Sequence, residues 1–247
     1  MWRGNEPRLT DCAGPVPYRP VTESGSVRRR DWEGRWQAEA GEHFVWHLEE
    51  VPPRLQSLLE TNDLPAGAAL DVGCGDGVVA THLAGRFRPS IGIDIALGAA
   101  LQGRDRAAKA NAPASFLVGD AANLSLRDGS VALVFDRGCL QNMPREAWPS
   151  YFVEVERVLA PHGVLQLSCS RAARSFPSVL TKRGVKARVR WFRGHRPGPQ
   201  FASRQLIRDL APPSLTVEVL EEVPMRMRNG NVRLEIGAIF RKGSKRR

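Results

Sequence analysis

The stretch LDVGCGDG, residues 70 to 77, is followed seventeen residues later by Asp94, near the end of the apolar run SIGIDI. An apolar run that breaks into Gly73, Gly75 and Gly77 ahead of a helical pattern predicts a strand, a tight turn and a helix. Lacking side chains, the glycines let the backbone turn sharply and approach a ligand closely, with free N–H groups aimed at it. A carboxylate at the end of the next strand accepts from both hydroxyls of a ribose. The turn and Asp94 together predict a site for an adenosine-containing cofactor.

Spacing narrows the choice of cofactor. A dinucleotide fingerprint reads G-x-G-x-x-G, whereas here Asp71 leads a D-x-G-x-G-x-G pattern. A pyrophosphate is repelled by Asp71, and a ligand ammonium is attracted to it. Further along, the strand ASFLV ends in Gly119-Asp120-Ala121, where the carboxylate can take an adenine amino group and the Ala121 N–H a ring nitrogen. A fourth strand, in SVALVFDRGCL, leaves Asp136, Arg137 and Gly138 at its carboxyl end. Asp71, Asp94, Asp120 and Asp136 thus stand at the ends of four successive strands, where open parallel sheets bind ligands.

These motifs resemble those of the class I S-adenosylmethionine-dependent methyltransferases, over roughly residues 31 to 241. The tryptophans at 32, 36 and 46 and the sequence DRGCL at 136 to 140 are most similar to the thiopurine and tellurite branch. The resemblance implies an α/β fold, a Rossmann-like seven-stranded mostly parallel sheet with helices on both faces. It also implies S-adenosylmethionine contacts at Trp36, Asp71, Gly73, Cys74, Gly75, Gly77, Asp94, Ile95, Asp120, Ala121 and Asp136. Arg137, directly after the fourth strand, is the candidate catalytic residue. An N-terminal aromatic segment, residues 31 to 62, is expected to fold over the cofactor as a lid.

The flanks read less sharply. Residues 1 to 30, with Pro7, Pro15, Pro17, Pro20 and the run Arg28-Arg29-Arg30, predict a mobile lead-in. Leu55, Leu58 and Leu59 behind Pro52-Pro53 predict a helix beside the sheet. The segment PSYFVEVERVL predicts a helix with Tyr151, Phe152, Val155, Val158 and Leu159 on its apolar face, and Pro161-His162-Gly163 a turn into the strand VLQLSCS. Ser203 is placed to cap a helix, and two closing strands follow in SLTVEVLEEV and VRLEIGAIF. His43 and His47 are four apart, and without an evident third ligand they predict an exposed helix face; no metal site is expected.

At 247 residues with 42% apolar content, the chain suits one globular domain. No 18-residue apolar run or signal-peptide core occurs, and the four cysteines form no C-x-x-C pair, so a cytoplasmic protein without membrane spans is expected. Residues 1 to 170 hold 17 Lys/Arg and 21 Asp/Glu, a net −4, while residues 171 to 247 hold 19 and 5, a net +14. From Arg171 to Arg208 there are eleven basic residues and no acid, with Trp191, Phe192 and Phe201 between them. A basic aromatic flap over the site, 171 to 208, favours a small anionic or aromatic substrate. The alternatives are an RNA or other polyanion, whose footprint is also basic, and a protein substrate. Against nucleobase methylation, no N/D-P-P-Y follows the fourth strand.

Overall fold

The computed structural model describes residues 23–38, 41–44, 46–61, 63–171, 201–226, 230 and 232–244. Seven strands, β1 (Ala68–Val72), β2 (Ser90–Asp94), β3 (Ala114–Val118), β4 (Val131–Arg137), β5 (Leu159–Ser170), β6 (Leu215–Arg226) and β7 (Val232–Lys242), form one sheet. Their order is β3-β2-β1-β4-β5-β7-β6. β1 to β5 pair in parallel, and β7 runs antiparallel to both its neighbours. The sheet is therefore the seven-stranded, mostly parallel one expected.

The central strands are apolar on both faces because both are covered. Along β1, Leu70 and Val72 face a core shared with Trp148 and Phe152 of α5 (Trp148–Val158) and Ile207 of α6 (Arg204–Leu210). Ala69 points the other way, toward Leu55 and Leu58 of α2 (Pro53–Glu60) and Val79 and Leu83 of α3 (Val78–Leu83). Ser203 caps α6 as expected, accepting from the Leu206 N–H at 3.1 Å. No described helix is long and apolar enough to cross a membrane.

Three boundaries depart from the sequence reading. Helix α1 (Glu23–Ala38) opens eight residues before position 31, inside the stretch expected as a lead-in; residues 1–22 of that stretch lie outside the described residues. Leu159 is not on the apolar face of α5 but is the first residue of β5, paired with Val131. Pro161 cannot continue the helix, so the chain turns extended at Leu159, and Pro161-His162-Gly163 becomes an irregularity within β5 rather than a turn before it. Residues 172–200, most of the basic flap, lie outside the described residues.

The helix between β2 and β3, α4 (Leu97–Lys109), meets β3 through the ring of Phe116. Phe116 of β3 fits a notch with no side-chain atoms, formed by Gly77 at the start of α3, Gly92 of β2 and Gly103 of α4. A Cβ on Gly103 would stand 2.5 Å from the Phe116 ring. Gly103→Ala, although alanine favours helix by about 1 kcal/mol, is therefore expected to destabilise the protein by roughly 1–3 kcal/mol through overpacking. Urea unfolding measures this, and adding Phe116→Leu is expected to recover much of the loss.

Candidate functional site

The parallel order reverses between β1 and β4, and the carboxyl ends of the strands on either side open into one crevice, as such switch points do. Beneath it the glycine turn is held by the end of β2. The N–H groups of Gly73 and Cys74 donate to the Ile93 carbonyl at 2.7 and 3.0 Å. Gly75 N–H donates to Asp94 Oδ2 at 3.1 Å, while Asp94 Oδ1 accepts from Ala96 N–H at 2.9 Å. Gly73, Gly75 and Gly77 all take left-handed φ values, of 67°, 55° and 78°.

A cavity of about 350 Å³ lies above the turn. Ten of the twelve residues expected to touch the cofactor or act in catalysis line it. Trp36, Asp71, Gly73, Cys74 and Gly75 line it from one side, and Asp94, Ile95, Asp120, Ala121 and Arg137 from the strand ends beyond. Gly77 and Asp136 do not. Gly77 is spent on packing against Phe116 and Gly103. Asp136 is fully buried and turned inward, accepting from the N–H groups of Cys139 and Leu140 at 2.8 and 3.1 Å, so it shapes the loop after β4 from within.

Aromatic side chains roof the cavity. Trp36 is 8% exposed and lies directly over the turn, since a Cβ on Gly75 would meet its ring at 3.3 Å. Its ring meets Phe44 edge-on at 4.9 Å, and Phe44 stacks on Trp46 at 4.7 Å. This roof is fastened by Glu33, which the sequence did not single out. α4 has no cap of its own at Ala96, and the Glu33 carboxylate supplies one from α1, accepting from Leu97 N–H at 2.6 Å and Gly98 N–H at 3.2 Å.

His43 and His47 part company. His43 is exposed in a short 3-10 turn (Gly41–His43), whereas the His47 side chain is nearly buried, with Nδ1 3.3 Å from Asp76 Oδ2. Arg106 holds the same Asp76 oxygen at 2.6 Å, so His47 belongs to a network bracing the turn. Arg137 spans the cavity's other side, donating from Nη1 to the Trp46 carbonyl at 2.9 Å and from Nη2 to Met225 Sδ at 3.0 Å. At the described ends of the basic flap, Arg171 is ion-paired with Glu222 at 2.7 Å, and Arg204 stands 3.9 Å from the same carboxylate.

Burial sets the electrostatics. It pushes the Asp71 carboxyl up to about 8, with the Ala80 N–H opposing and the neighbouring carboxylates of Asp136, Asp94 and Asp76 adding to the rise. Asp94 and Asp136 are each raised to about 6, again chiefly by burial, opposed at Asp94 by backbone N–H groups and at Asp136 first by the Tyr151 hydroxyl and then by backbone N–H groups. A site with this many crowded acids suits a cationic ligand group.

The fold is that of the class I S-adenosylmethionine-dependent methyltransferases. Residues 69–163 match the methyltransferase domain family. The chain is 28% identical over 135 residues to a 2-heptyl-1-hydroxyquinolin-4(1H)-one methyltransferase of Mycobacteroides abscessus, covering 53% of this chain and 59% of that protein. It is 37% identical over 117 residues to a malonyl-[acyl-carrier protein] O-methyltransferase of Geobacter sulfurreducens, covering 46% and 42%. The matches thus span less than two thirds of either relative. Among solved structures, one from work on the conversion of a disulfide bond into a thioacetal group in echinomycin biosynthesis superposes with a TM-score of 0.68 at 22% identity, covering 88% of this chain and 93% of that one. The Burkholderia thailandensis 1,6-didemethyltoxoflavin-N1-methyltransferase, solved with 1,6-didemethyltoxoflavin and S-adenosylhomocysteine, gives 0.58 at 16% identity, covering 93% of each. Nothing in these similarities singles out the thiopurine or tellurite branch.

Two outcomes follow from the buried acids and the fastened roof. Each carboxyl is raised above its unfolded value of about 4, so its proton stabilises the fold fully below that pH and the contribution is lost as pH rises through 6 and then 8. The melting temperature of the ligand-free protein is expected to fall between pH 5 and 8, and Asp71→Asn to flatten the upper part of that fall. Glu33→Ala is expected to cost about 1 kcal/mol and to speed hydrogen exchange in α1 while leaving the strands protected.

Proposed function

We propose that this chain is an enzyme that transfers a methyl group from S-adenosylmethionine to a nucleophilic atom of a small, anionic or aromatic molecule. The observation that carries the proposal is the convergence of Asp71, Asp94, Asp120 and the Gly73–Gly75 turn on one roofed cavity. The residues present fit that cofactor. The turn forms a cradle that a Cβ would fill, and the donor set is acidic where the ligand is cationic. Each Asp94 oxygen accepts one backbone N–H and keeps capacity for a ribose hydroxyl. Asp120 and the Ala121 N–H suit the adenine edge, and Asp71 suits the ammonium end. When bound, S-adenosylmethionine supplies a methyl carbon activated by its sulfonium.

The protein's own task is then alignment and exclusion of water. Trp36, Phe44 and Trp46 close the cavity as a lid, and Arg137 fixes that lid to the strand end through the Trp46 carbonyl. The stacked Phe44–Trp46 pair favours a flat acceptor, in keeping with the heteroaromatic compounds named for two of the similar proteins. A cavity roofed by aromatic side chains favours a small molecule over RNA or a protein, and Arg171 is paired within the fold rather than offered to a polyanion. Cys74 and Cys169 are buried thiols outside any disulfide, which accords with a cytoplasmic setting.

Asp94→Ala removes two charge-assisted bonds to the ribose. It is expected to weaken S-adenosylmethionine binding by about 1.5–3 kcal/mol per bond before water compensates, an order of magnitude or more in Kd by calorimetry. Unchanged affinity, or tight NAD binding by the wild type, would overturn the proposal.

A further inference from the structure

Because β7 runs antiparallel to β5, its early residues lie beside the end of β5, at the ligand-binding edge of the sheet. Glu235 stands in register with Ser170, the last residue of β5, and lines the same cavity as Arg137. Glu235 is only 7% exposed, and its Oε2 has no hydrogen-bond partner among the described residues. Arg137 Nε is likewise buried without one, its two Nη groups being committed to Trp46 and Met225. Nearby, Arg233 donates to Ser170 Oγ at 3.3 Å rather than to Glu235. One buried acceptor and one buried donor, on two residues that line the same cavity, thus remain unpaired. Buried polar groups are almost always paired, and an unpaired pair facing a cavity is what a polar ligand would satisfy.

We propose that Glu235 and Arg137 form the acceptor-substrate subsite, and that its ligand is a flat heteroaromatic with an ionisable O–H or N–H near an oxo group. The O–H or N–H donates to Glu235 Oε2, the oxo oxygen accepts from Arg137 Nε–H, and the ring lies toward Trp46. This rests on the methyltransferase reading and names the substrate class for it. The balance is complete within that reaction. The acceptor's O–H or N–H bond breaks and its proton passes to Oε2. The electron pair left behind forms the new bond to the methyl carbon as the carbon–sulfur bond breaks and leaves a thioether. Burial raises the Glu235 carboxyl above its ordinary value, with Arg137 and Arg233 opposing, which makes it a better proton acceptor than an exposed glutamate.

The test titrates 4-hydroxyquinolin-2(1H)-one, and quinoline as the control lacking both polar groups, into the protein by calorimetry, with and without saturating S-adenosylhomocysteine. The wild type is expected to prefer the hydroxyquinolinone at least tenfold. Glu235→Gln is expected to lose that preference while keeping its affinity for S-adenosylhomocysteine, which reports that the fold and the cofactor end of the cavity are intact. No preference in the wild type, or a preference retained in Glu235→Gln, overturns the subsite. Failure of S-adenosylhomocysteine to bind while the hydroxyquinolinone still binds in a Glu235-dependent way would instead remove the methyltransferase reading and leave the subsite standing.

Discussion

The two hydrogen bonds accepted by Asp94 set the geometry on which the rest of the site depends. One carboxylate at the end of β2 receives the Gly75 N–H from one loop and the Ala96 N–H from the next, and so ties the glycine turn to the start of α4. The Ile93 carbonyl takes the two preceding N–H groups of the same turn. Four backbone donors are thereby satisfied by two adjacent residues, which lets a turn of three left-handed glycines stay in one shape. Burying that carboxylate raises its proton affinity, and its neighbours Asp71 and Asp136 suffer the same. The strand ends hold a concentration of unfavourable charge, which a cation relieves.

Over this acidic floor the roof is aromatic and fastened from the side. Glu33 reaches across from α1 to the exposed N–H groups of α4, and Trp36, one helical turn further, is laid on the glycine turn. The same helix therefore both caps a neighbour and closes the cavity. His47, Asp76 and Arg106 brace the far side of the turn and Arg137 holds the Trp46 carbonyl, so the lid is fastened by polar contacts at several places rather than by apolar packing alone.

Much of this was legible in the chain because strand-end acids and glycine turns are local signals. The spacing from Gly77 to Asp94, the apolar runs of β1 and β4 and the capping serine at 203 each depend on neighbours within a few residues. What escaped depends on contacts distant in sequence. Glu33 meets Leu97 across 64 residues, and nothing local marks it as a cap. The notch for Phe116 is assembled from Gly77, Gly92 and Gly103, three separate elements. Asp136 has the position of a ligand acid but turns inward, because the loop after β4 has N–H groups that need it more. Glu235 sits on an antiparallel strand, where the rule of strand carboxyl ends points away from it.

The sheet order has a consequence for the nascent chain. β7 lies between β5 and β6 although it follows both in sequence, so β6 is joined to the sheet only once β7 pairs with β5. Until it does, β5 presents an open edge of unpaired backbone groups to solvent and to other chains. The wall carrying Glu235 is also missing until then. A ribosome-bound intermediate can hold the glycine turn and its acids in place, yet its cavity stays open along one side until the last strand arrives.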